Sequence, residues 1–183
     1  MHGPGSASWL LVALCAASGA YCLLRMRSHV EEQRRTAGGE ALMGFGMALM
    51  AVPGVALSSP PGVLVAYVAV FAAAGLRAAW AVRRRPHHDH AHHLVGAVAM
   101  VYMSGAMAVT PGAGHGGAGV PALTGALLLY FTAHVLASGA RLAPVGAVVA
   151  PETGVVHWAD RPELALVCRL AMSMAMIAML LTL

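Results

Sequence analysis

The chain has 183 residues, 59% of them hydrophobic and only 10% charged, with a mean hydropathy of +0.73 and a formal net charge of +4. Soluble domains devote about a quarter of their residues to charge, so a water-soluble fold is excluded. Every basic residue is an arginine, set in short clusters beside apolar runs without aromatic interleaving. That pattern argues against a nucleic-acid surface and makes a lipid bilayer the expected partner.

Six apolar runs are each long enough for a membrane helix of about 18 residues or more. They predict helices over about 8–24, 40–57, 63–82, 92–109, 120–137 and 163–183, which leaves no room for a separate soluble domain. The first run is not preceded by basic residues; Arg25 and Arg27 follow it, the order of an uncleaved span rather than a signal peptide. Pro53 falls in the last third of the second predicted helix. Pro60-Pro61-Gly62 makes a tight turn before the third. Pro111 and the glycines up to Gly119 form a loop, and Asp160, Pro162 and Glu163 suit a helix start. Trp9 and Trp80 lie near span ends, where amphipathic rings favour the interface.

Arginines set the orientation. Arg25, Arg27, Arg34 and Arg35 lie between the first two runs, Arg83, Arg84 and Arg85 between the third and fourth, and Arg141 and Arg161 between the fifth and sixth. The intervening loops and both termini carry none. Basic loops stay in the cytoplasm, so the expected fold is an all-α bundle of six transmembrane helices with the N-terminus and C-terminus extracytoplasmic. Cys15, Cys22 and Cys168 fall inside predicted helices, an odd count without the spacing of a disulfide framework.

The even-numbered helices share a pattern. The second carries Met43, Met47 and Met50, the fourth Met100, Met103 and Met107, and the sixth Met172, Met176 and Met179. Steps of three or four place each set on one helix face. Each helix holds a Met-x-x-Met pair, and seven residues before each pair stands a polar side chain: Glu40, His93 and Arg169. That offset is about 10 Å of helix. The chain thus reads as a pseudo-repeat of three hairpins, with the even helices packed together around the methionines and the odd ones outside. Gly44, Gly46, Gly96 and Gly105 would allow close approach.

Thioethers are soft ligands suited to Cu(I). One reading is therefore binding or passage of copper along the methionine faces, with His115 on the outer loop capturing the ion and His93, His134 and Glu40 receiving it inside. The other reading of the methionines is core filler. The run His87 to His93 reads either as a metal-binding tract or as a solvated cytoplasmic loop. His134 is an intramembrane ionisable residue, which marks a functional candidate, or else a neutral histidine bonded to a carbonyl. Arg77 and Arg169 read as snorkelling to the inner interface, with an Arg169 pairing to Glu40 or Glu163 as the structural alternative. Cys15 and Cys22 read as buried small hydrophobes.

Two other function classes remain open. Haem b held by His93 and His134 is one, although two-haem proteins need four such histidines. A membrane scaffold without ligand is the other, with homo-oligomerisation left open. A zinc hydrolase built on His92, His93, His134 and Glu40 lacks an HExxH spacing, and the chain has no Walker loop, Rossmann glycine pattern or serine elbow; an enzyme is not the expected class.

The Trp9 to Met26 helix, the Gly38-Gly39-Glu40-Ala41-Leu42-Met43 start of the second helix, the His92-His93-Leu94 start of the fourth and the methionine-rich sixth resemble an actinobacterial family of small multi-pass membrane proteins, classed as a domain of unknown function. The resemblance extends over nearly the whole chain and implies location in the bacterial cytoplasmic membrane. It implies no activity.

Overall fold

The computed structural model describes residues 4–27, 31–52, 61–84, 88–109, 119–142 and 162–182. Among these the chain forms six helices and no strand: α1 Pro4–Arg25, α2 Glu31–Ala51, α3 Pro61–Arg84, α4 His88–Val109, α5 Pro121–Leu142 and α6 Pro162–Leu181.

Each helix overlaps an expected one, with shifted ends. α2 begins at Glu31 rather than near Glu40. Its first turns are charged yet rich in helix formers, with Glu31 and Arg34 paired one turn apart. It ends at Ala51 rather than Leu57, two residues before Pro53, because a helical conformation is disfavoured ahead of proline. Val52 N–H closes that end on the Leu49 carbonyl at 3.4 Å. α4 likewise starts earlier, at His88.

Among the described residues, four helices rather than six are long and apolar enough to cross a membrane: Ser6–Arg25, Gly62–Arg84, Pro121–Arg141 and Glu163–Leu181. α2 differs for a physical reason: its apolar part, from Ala41 to Ala51, is about 16 Å long against a hydrocarbon core of about 30 Å.

The helices pair in sequence as α1/α2, α3/α4 and α5/α6. α2 sits centrally, touching α4 and α6, and α1 also touches α6. Association in lipid rests on close packing and polar pairs rather than on water exclusion, and the glycines show the packing. A Cβ at Gly44 would lie 2.9 Å from Gly19 Cα and 3.1 Å from the Cys15 carbonyl, so α1 and α2 meet backbone to backbone. Gly46 lies under Phe71 and Tyr67 of α3. At Gly96 of α4, a Cβ would fall 2.8 Å from Met43 Sδ of α2. Gly105, expected to serve the same purpose, faces nothing within 4 Å. α3 and α5 expose Val65, Leu76 and Trp80, and Leu129 and Leu136, respectively. Their outward faces suit contact with lipid.

Candidate functional site

The methionine faces converge. Met43 and Met47 of α2, Met100 and Met103 of α4, and Met172, Met176 and Met179 of α6 are buried in one core cluster with Cys15, Cys22, Phe71, Leu127 and Phe131. Met50 packs against this cluster partly buried, and Met107 is only half-buried. Tyr67 Oη donates to Met100 Sδ at 3.8 Å. Ser104 and Ser173, also buried, donate to the Met100 and Arg169 carbonyls one turn back at 2.6 and 2.9 Å. Their hydroxyls are thereby satisfied within their own helices, and the core presents sulfur and hydrocarbon.

A polar layer closes this core at the end where α1 finishes and α2, α4 and α6 begin. Glu40, 1% exposed, bonds two guanidiniums: Arg25 Nη1 donates to Oε2 at 2.5 Å and Arg169 Nε to Oε1 at 2.6 Å. Cys22 Sγ adds a longer contact of 3.6 Å to Oε2. The triad ties α1, α2 and α6 together. The expectation that Arg169 snorkels is therefore corrected: its neighbour on α2 supplies a carboxylate within reach, and pairing replaces the need for water. Arg77 stays exposed on α3.

The histidines form the other half of the layer. The His92 and His134 rings stack at 4.0 Å between centroids and 14° between planes, joining α4 to α5. Tyr130 stacks alongside, its hydroxyl 3.5 Å from His92 Nδ1, and Phe131 meets His92 edge-on at 5.9 Å. His93 turns instead towards α2, where a Cβ at Gly39 would lie 3.7 Å from its ring. At the opposite end of the same seam, Tyr102 Oη and Thr124 Oγ1 are 2.7 Å apart.

The three residues of the sequence register, Glu40, His93 and Arg169, thus lie in one layer. Both Glu40 oxygens are held by arginines. Among the described residues, no three His, Cys, Asp or Glu side chains are placed to hold one metal ion. The His93 ring lies near Gly39 of α2, and the His134 ring against His92. It is His92 that meets His134, face to face, whereas axial ligands aim their nitrogens at an iron from opposite sides of a porphyrin. His115 and His87 lie outside the described residues.

Arg25 is the member that sequence reasoning did not place in the site; His92 stood there only among the candidate ligands of a zinc hydrolase. Arg25 stood among the orientation-setting arginines, and its place at the end of an apolar helix, which Arg84 shares on α3, does not set it apart. His92 precedes His93 in the same tract, and only packing decides which of the two faces α5.

No curated protein and no solved structure matches the chain. A family described as a domain of unknown function, DUF5134, matches residues 32–183, from the first turn of α2 to the C-terminal residue. The chain belongs to that family.

Proposed function

We propose that this protein is a multi-pass protein of the bacterial cytoplasmic membrane that binds a soft monovalent metal ion, Cu(I), in its methionine core. In this reading all six helices cross the bilayer, α2 and α4 sheltered by their neighbours, and both termini are extracytoplasmic. The arginines between α1 and α2, α3 and α4, and α5 and α6 support that orientation. One observation carries the metal reading: methionines from three helices, in matching register, share a single buried cluster whose ligating atoms are sulfur. The polar layer of Arg25, Glu40 and Arg169 marks the cytoplasmic end of that core.

The test is copper content. Full-length protein, purified after growth with copper under reducing conditions, is expected to carry stoichiometric copper. The triple variant Met47→Leu, Met103→Leu, Met176→Leu is expected to lose it while staying folded, since such swaps nearly conserve volume. Equal copper in both proteins, or none in either, would sink the proposal. The second result would favour a scaffold whose methionines only pack, as Met43 does against Gly96 and Met100 against Tyr67.

A further inference from the structure

One exposed face of α3 changes character along its length. Ala66, Val70, Ala73, Arg77, Trp80 and Arg84 follow one another in steps of four and three, which sets them on a single side of the helix. All six are exposed. Phe71 and Gly75, on the other side, are buried, the first against Gly46 of α2 and the second against Ala97 of α4. The stretch from Ala66 to Ala73 is apolar, and the arginine-bearing end follows it. Arg84 lies over the Trp80 ring, 3.7 Å from its centroid. A guanidinium held over a ring by its flat face keeps its N–H edges open to other partners. Arg77 stands about 10 Å of helix further into the span. Neither arginine makes a salt bridge or a hydrogen bond among the described residues. A cation within a span is stable where the interface or a counter-charge comes within its reach. Tryptophan rings favour the headgroup level, and Trp80 sets that level between the two guanidiniums.

We propose that this face of α3 seats one anionic phospholipid, its phosphate within reach of Arg77 and Arg84 and an acyl chain lying along Ala73, Val70 and Ala66. Charge complementarity selects the occupant. A second copy docked symmetrically through the same face would bring Arg77 and Arg84 against their own counterparts at equal depth, like charge on like. A phosphodiester neutralises them instead, and guanidinium edges grip its oxygens with paired donors. The small and β-branched side chains of Ala66, Val70 and Ala73 let an acyl chain approach the helix closely. The inference rests on α3 lying in the bilayer, for which it is long and apolar enough, and is independent of copper.

The experiment uses the full chain in nanodiscs of phosphatidylcholine and phosphatidylglycerol in equal parts. Native mass spectrometry counts each lipid that stays bound as the disc is stripped away. Wild type, Arg77→Gln, Arg84→Gln and Arg141→Gln are compared. Arg141 is likewise exposed at a helix end, but its helix, α5, carries no tryptophan. The expected result is one phosphatidylglycerol retained in preference to phosphatidylcholine, at least fivefold less of it in Arg77→Gln and in Arg84→Gln, and unchanged retention in Arg141→Gln. Wild type that retains the two lipids equally, or neither, overturns the proposal whether or not a variant folds. Equal retention in wild type and either α3 variant, or an equal loss in Arg141→Gln, overturns it as well. Dimers in the same spectra that Trp80→Ala dissolves would give the face to a second copy and overturn it too.

Discussion

Replacing Glu40 with glutamine removes the carboxylate that ties α1, α2 and α6 through Arg25 and Arg169. Glu40 and Arg25 are each 1% exposed, so the glutamine variant leaves a guanidinium without its counter-charge in a bundle interior. Breaking a buried pair in this way costs about 3–5 kcal/mol. The Arg169 arm adds less than a second such term. Its side chain is 23% exposed, and partly solvated pairs contribute about 1 kcal/mol or below. The expected loss for Glu40→Gln is about 4 kcal/mol, close to a thousandfold in the folded-to-unfolded ratio. Arg169→Gln should cost about 1 kcal/mol, and Arg25→Gln should fall between the two, because Arg169 still neutralises Glu40. Denaturant titration in a fixed detergent micelle, followed by circular dichroism, measures all three. The Arg25→Gln, Glu40→Gln double variant should be less destabilised than the sum of its parts, as expected for groups in one network. A Glu40→Gln protein within about 0.5 kcal/mol of wild type, or an Arg169→Gln protein less stable than it, would refute the triad as a structural tie.

The glycine contacts give a paired expectation. Gly44→Ala drives a methyl group into the Gly19 backbone and should cost about 1–3 kcal/mol, whereas Gly105→Ala, facing open space, should be neutral or stabilising by up to about 1 kcal/mol; the same titration separates them. Tyr102→Phe deletes the 2.7 Å bond to Thr124 and should lower stability by about 0.5–1.5 kcal/mol, with no effect on copper content. Topology is read from reporter fusions: a phosphatase active only outside the cytoplasm should be active at the C-terminus and inactive when fused after Arg84. The reverse pattern would invert the orientation.

The order and number of the six described helices follow from the apolar runs, although four of them are long and apolar enough to cross a membrane. The methionine register was equally legible. Steps of three and four fix a face, and the matching seven-residue offset places Glu40, His93 and Arg169 in one layer. Less legible were the termini. The charged start of α2 from Glu31 to Gly39 is helical because the Glu31–Arg34 pair and helix formers support it, yet by hydropathy it reads as loop. Side-chain partnerships were the least legible. Arg25 resembles any arginine at the end of an apolar helix until Glu40 is placed opposite it by the Gly19–Gly44 contact further along α1 and α2. Neighbouring residues on a helix point about 100° apart, so His92 turns to α5 and His93 to α2, a choice made by packing and invisible in the run of histidines. The apolar length of α2 was overestimated because the helix stops at Ala51, ahead of Pro53.

The central claim is that the buried methionine cluster is a metal site. Copper K-edge X-ray absorption on the full chain, loaded with Cu(I) in nanodiscs, tests it most directly. The account predicts bound copper with a first shell of sulfur alone, and its disappearance in the Met47→Leu, Met103→Leu, Met176→Leu variant. Copper with a nitrogen or oxygen shell, copper unaltered in that variant, or no bound copper at all would contradict it.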